Sequence, residues 1–278
     1  MPAFDFASPP GEDALAPPHS VSWRVFRNPL ALYIGGITAV LLELAEPRVR
    51  SGVWDHTTFR TDPLTRMRRT GLAAMITVYG ARGSAERMIA RVRRMHSGIE
   101  GVTPGGVAYR ADDPHLLCWV HATALFGFME AYHRYVRPLS SVERDSYIAD
   151  GAEAATLYGA HAPPTSENEL RELFVTMQPR LEASEIIHEF LSILARLSLF
   201  PAPLRPLNSI AIRAAIGLLP AEVRTVLRLD RGYEPPPGSS YLLRWAGRQI
   251  DLLPFASSPA ARACVRLGLP ADHLVPER

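Results

Sequence analysis

Three short segments of this 278-residue chain carry side chains whose types and spacing suit metal or oxygen chemistry: Arg66-Met67-Arg68-Arg69-Thr70, Arg91-Val92-Arg93-Arg94-Met95-His96 and Trp119-Val120-His121-Ala122-Thr123. Arg66 and Thr70 stand four residues apart, so a helix would place a guanidinium and a hydroxyl on one face, a turn apart. Together they can hydrogen-bond a propionate or an oxygen species. The plain alternative is a solvated face of Arg66, Arg68 and Arg69 with Thr70 a bystander. His96 ends a basic helix and lies beside its apolar stripe. A neutral imidazole on a packed helix serves as an axial metal ligand, haem iron included, while a histidine in that place is commonly a partly exposed surface residue. His121 falls on an aromatic and apolar face near Trp119, Phe126 and Phe128, where a hydrogen-bonded core histidine competes with a ligand.

Other chemistries find less support. His56, His96, His121 and His133 could converge with Glu43 or Glu46 on a non-haem metal, His133 being expected to be exposed. However, the Glu-x-x-His spacing of di-iron bundles, as at Glu185 and His188, is weak support by itself. No glycine-rich phosphate loop is present. All the basic residues are arginine, which removes lysine Schiff-base chemistry. The formal charge of +2 is nearly balanced and the arginines are interspersed with acids, so nucleic-acid binding is not indicated. Two distant cysteines, Cys118 and Cys264, make no disulfide scaffold or zinc site, and Cys118 reads as a buried thiol.

The elements that must position these residues are helical. Apolar residues are 47% of the chain and charged residues 21%, the balance of a globular protein. A helical period dominates, which predicts a single all-α domain over 22–278 behind a disordered leader at 1–21 that lacks signal-peptide character. Asn28-Pro29 starts a helix to Leu44, stopped by Glu46-Pro47. That apolar run is short of a bilayer span and is interrupted by Gly35-Gly36 and Glu43, so no membrane span is expected. A short apolar element covers Val49–Thr57, and Asp62-Pro63 caps a helix through Val78.

Ser84 is expected to cap a helix that ends near Gly98 or Gly101, with Met88, Ile89, Val92, Met95 and Ile99 as its stripe. The segment Gly101–Asp113 reads as a loop or small hairpin. His115–Tyr135 is the strongest helix, and Ser140 with Glu143 makes a capping box for a helix through Leu157. Helices follow over Ser166–Gln178, Glu182–Leu199 and Ser240–Leu252, with short helices between prolines including Pro201, Pro203, Pro206 and Pro220.

With these residues in view, the chain resembles the DUF2236 family of MpaB-type oxygenases, to which the latex clearing proteins (rubber oxygenases) belong. The resemblance runs from about Arg27 to Leu219. It rests on Gly35-Gly36, the Leu41–Pro47 run, Phe59–Pro63, Arg66–Thr70, Tyr79-Gly80, Arg91–His96 with Gly101, Tyr109, Asp113-Pro114, Trp119–Ala122, Pro138–Ser140 and Tyr158-Gly159. It implies a helical haem b protein with an internal pocket. His96 would be the iron ligand, Arg66 and Thr70 the catalytic pair on the opposite face, and His121 a further pocket residue.

Relatives can place a lysine before the threonine and close the iron site with it. Here Arg69 holds that place beside the cofactor, and a guanidinium stays protonated, which argues against such a closed state. Glu43 and Glu46 stand where relatives carry Gln and His, and pairing with Arg48 and Arg50 is the simple reading of both. The implied function is a haem-dependent oxygenase taking dioxygen and an apolar, unsaturated small molecule in the cytoplasm. A haem- or lipid-binding protein without turnover and a peroxidase-like enzyme are the alternatives. The oligomeric state is not indicated.

Overall fold

Prolines and short polar side chains set most of the helix starts, as their lack of an N–H and their free acceptors require. The computed structural model describes residues 4–197 and 205–276. Ser20 caps α1 (Val21–Arg27) and Asn28 caps α2 (Pro29–Ala45), its side chain accepting Ala31 N at 3.2 Å. Glu46 caps α3 (Pro47–His56), and Asp62 caps α4 (Pro63–Tyr79), accepting Thr65 N at 3.3 Å. A tight turn leads into α5 (Arg82–His96).

The expected hairpin is β1 (Glu100–Val102) paired antiparallel with β2 (Ala108–Arg110), Gly101 opposite Tyr109. Then come α6 (Pro114–Tyr135), α7 (Ser141–Tyr158), α8 (Glu167–Met177) with a 3-10 turn, α9 (Glu185–Arg196) and α10 (Arg205–Leu218). The chain closes with α11 (Ala221–Val226), α12 (Ser239–Asp251) and α13 (Pro259–Arg266). The fold is all-α apart from that small hairpin, as the periodicity predicts. The ninth helix, expected over Glu182–Leu199, starts at Glu185 and stops at Arg196, with Leu197 extended; Leu199, Pro201 and Pro203 lie outside the described residues.

The centre of the fold is the contact of α2 with α6, the most extensive between helices among the described residues. Gly35 and Gly127 meet back to back there: a Cβ on Gly35 would lie 2.6 Å from Gly127 O, so only glycine permits this approach. Both helices are thereby drawn into one core with α9 and α10, containing Trp119, Leu41, Leu42, Leu44 and Ile187. Among the described residues no single helix is long and apolar enough to cross a membrane.

Several local expectations differ from what is observed. Residues 4–20, expected as disordered leader, are packed: Phe6, Ala14, Leu15 and Ala16 bury against Trp23, Tyr79 and α13. Arg266 fastens them, donating to Glu12 O at 2.8 Å, Phe6 O at 2.8 Å and Tyr79 O at 2.7 Å. A Pro- and Ala-rich composition hides such docking, because the partners lie far along the chain. Ser84 does not cap α5; Ala81 precedes the helix without a side-chain cap, and the Ser84 hydroxyl accepts from Arg87 instead. Met95 leaves the expected stripe and is exposed. The capping box of α7 is complete, with Ser140 N donating to Glu143 Oε2 at 2.9 Å and Glu143 N to Ser140 Oγ at 3.3 Å. Cys118 and Cys264 are both free and buried.

Candidate functional site

Two core helices each leave one stripe incompletely covered. On α2 the half-buried positions Leu32, Gly36, Val40 and Glu43 recur at helical spacing between fully buried neighbours. On α6 the same is true of Leu117, Val120, His121, Ala124 and Phe128. The stripes adjoin, for a Cβ on Gly36 would lie 3.8 Å from the Phe128 ring. Glu43 and His121 are half-buried members of these two stripes.

The α4–α5 hairpin presents the remaining groups. The two helices bury residues only near their joint, namely Ile76, Val78 and Tyr79 on α4 and Ala85 and Ile89 on α5. Their far halves, carrying Arg66, Thr70 and His96, pack no residue fully. Arg66 Nη1 donates to Thr70 Oγ1, and that hydroxyl donates to Arg66 O at 3.0 Å, so the expected i, i+4 pair exists and each side chain fixes the other. Arg69 is exposed on the same helix and has no ion-pair partner among the described residues.

Electrostatics tie four helices together at this place, α2, α4, α5 and α6. Burial pushes the Glu43 carboxyl up to about 7, against the pull of the Arg66 guanidinium and the Thr123 hydroxyl. Burial lowers Arg66, and Glu43 opposes that shift. His96 is lowered first by burial and then by Arg66, with Asp112 acting the other way. Its imidazole is therefore neutral near pH 7, the form that can coordinate a metal. No hydrogen bond occupies His96 among the described residues. His121 is pushed by burial down to about 4, and its Nε2 is buried without a partner. It lies against α7, where a Cβ on Gly151 would come 3.0 Å from its ring.

Arg66, Thr70 and His96 thus share one region with Glu43, while His121 lies on the α7 side of the same α6 stripe. Glu46 makes the simple pair expected of it, accepting Arg48 Nε at 2.7 Å and capping α3. Glu43 does not; no cation reaches ion-pairing distance of it among the described residues, and it stands near Arg66 of α4 instead of pairing with Arg48 or Arg50. Its spacing of three from Val40, on the stripe of Gly36, is the signal that places it there. The other histidines are engaged elsewhere: His56 with Tyr109 Oη at 3.2 Å, His188 with Tyr233 Oη at 3.3 Å, and His133, half-buried rather than exposed, accepting Leu139 N at 3.0 Å. Among the described residues no three His, Cys, Asp or Glu side chains are grouped to hold a metal by themselves.

The Glu43 carboxyl has a measurable consequence. Its folded-state value lies above the unfolded one, so the stability it contributes is present below the ordinary carboxylate range and is lost as pH rises through about 7. A shift of this size corresponds to on the order of 3 kcal/mol between protonation states, reduced by Arg66 in any variant that removes the charge. Glu43→Gln should raise the melting temperature at pH 8 and leave it nearly unchanged at pH 4. Equal effects at both pH values would show that Glu43 does not titrate in this range.

A profile of the family described as ER-bound oxygenase mpaB/B'/rubber oxygenase, catalytic domain, matches residues 23–252. Neither a curated protein nor a solved structure matches the chain significantly.

Proposed function

The chain belongs to the mpaB and rubber oxygenase catalytic-domain family, and we propose that it is a haem b-dependent oxygenase that uses dioxygen on an apolar, unsaturated substrate. The observation that carries this reading is the proximity of a histidine without a side-chain partner and an Arg–Thr pair to Glu43 on the half-covered stripe of a core helix. The donor set fits haem: one free imidazole of the right protonation state, a cationic guanidinium for a propionate or an oxygen, and apolar walls from Leu32, Val40, Leu117, Val120 and Phe128. His96 would hold the iron, Arg66 and Thr70 would hydrogen-bond a propionate or an oxygen, and Arg69 and His121 would be further cofactor-binding residues.

When bound, haem supplies the redox centre at which dioxygen is activated. The chain does the rest. His96 stays neutral through burial and the neighbouring charge of Arg66. Arg66 and Thr70 hold each other in place, so that N–H and O–H donors are oriented before a reactant arrives. Thr70 can redirect its proton from Arg66 O to an oxygen of the reactant. Glu43 carries a proton near neutral pH and, once ionised, balances the Arg66 charge. The apolar stripes exclude water and receive hydrocarbon, in keeping with rubber, an unsaturated hydrocarbon polymer, in the family's description.

Product analysis tests this: the haem-loaded protein is incubated with polyisoprene oligomers and with simple alkenes, under dioxygen and without it. Oxygen-dependent carbonyl or hydroxyl products support the reading. Stoichiometric haem with no product from any alkene would leave a haem- or lipid-binding protein, and products formed only with added peroxide would make the protein peroxidase-like.

A further inference from the structure

We propose that the outward face of α12 docks the protein on a lipid surface bearing anionic headgroups. The helix turns Leu243, Gly247 and Asp251 to the body of the protein. Gly247 lies so close to Tyr135 O that no side chain would fit between them. The opposite face carries large apolar side chains among its polar ones. Tyr241 is 79% exposed and Trp245, one turn on, is 63% exposed, with Leu242 beside them. Just past the helix, Leu253 and Phe255 are exposed as well.

Charge on this face has one sign. Arg244 and Arg248 flank the two aromatic rings on the helix, each using only its Nε, toward Arg134 O at 3.3 Å and Val136 O at 3.4 Å. Neither they nor the exposed Arg134 pairs with a carboxylate among the described residues. The only acid between Ser239 and Ser258 is Asp251, which is buried and bound to Arg27 at 3.0 Å. Trp and Tyr side chains, apolar in body and polar at the tip, settle at headgroup depth. Free guanidinium groups reach phosphates from there, and a short helix with this pattern lies in the plane of the interface.

The same features disfavour a second copy as the occupant. A two-fold contact through this face would set its arginines against their own equals, with no carboxylate to separate them. The face lies at the Tyr135 end of α6, away from Thr123, so the inference is independent of the haem reading.

Flotation of the purified full-length protein with vesicles tests the proposal. The protein should float with vesicles of phosphatidylcholine mixed with phosphatidylglycerol, less with phosphatidylcholine alone, and less as salt is raised. Trp23, Trp54 and Trp119 are buried, so a blue shift of emission on mixing reports Trp245. Arg244→Gln with Arg248→Gln should weaken partitioning on the order of 30-fold, and Tyr241→Ser with Trp245→Ser should also weaken it, with helicity unchanged. Trp245→Phe should lose the blue shift and still float, which keeps the test decisive if the serine variant misfolds. Three results would overturn the proposal: no flotation at low salt, flotation indifferent to these substitutions, or a sedimenting dimer or an acidic protein complex that depends on Tyr241 and Trp245 while vesicles are ignored.

Discussion

Replacing His96 with Ala is expected to strip the protein of most of its haem, while His133→Ala leaves occupancy at the parent level. The imidazole of His96 makes no hydrogen bond among the described residues, so its loss orphans nothing in the fold. Its position at the end of α5, where packing is already sparse, predicts a small change in melting temperature. His133 is a useful control because its ring accepts Leu139 N at 3.0 Å and is committed to the end of α6. Haem content per chain, measured as the pyridine complex, checks both variants. Full occupancy with an unaltered spectrum in His96→Ala would move the ligand assignment to His121, whose buried Nε2 also lacks a partner.

The second large effect belongs to the Arg66 and Thr70 pair. Thr70→Val keeps the β-branched shape but removes the hydroxyl that accepts Arg66 Nη1 and donates to Arg66 O. The guanidinium then loses its anchor as well as its neighbour. A donor aimed at developing charge is worth about 10²–10³-fold in rate, and a loss of that size in turnover is expected with haem content and helicity retained. Arg66→Lys should also slow turnover, because a point charge replaces a planar fork and the bond to Thr70 is not reproduced. Turnover of a verified substrate at the parent rate in both variants would reduce the pair to surface spacing.

Much of the scaffold was legible because its signals are local. Caps at Asn28, Asp62, Asp113 and Ser140 and the prolines that follow several of them fix helix starts through interactions that span three residues. The Arg66 and Thr70 pair was legible for the same reason, since helical spacing alone puts the two side chains together. What the sequence hid is set by distant partners. The docking of Phe6 and Leu15 depends on Arg266, some 250 residues away.

Glu43 shows the limit at the site itself. Its neighbours Arg48 and Arg50 suggested an ion pair, but Arg48 turns to Glu46 and Arg50 to Glu182 and the Leu44 carbonyl. The charge that acts on Glu43 comes from α4, which nothing local to α2 announces. Met95 shows the converse. Its spacing fitted the stripe of α5, yet α5 buries residues only in its first half, at Ala85 and Ile89, and the side chain is exposed.

The reading stands most directly on the absorption spectrum of the full-length protein produced with an ample supply of haem. One haem b per chain is predicted, seen as a Soret band of stoichiometric intensity whose position shifts when His96 is replaced. A correctly folded, helical protein that takes up no haem, or takes it up far below one per chain without responding to His96→Ala, would contradict it.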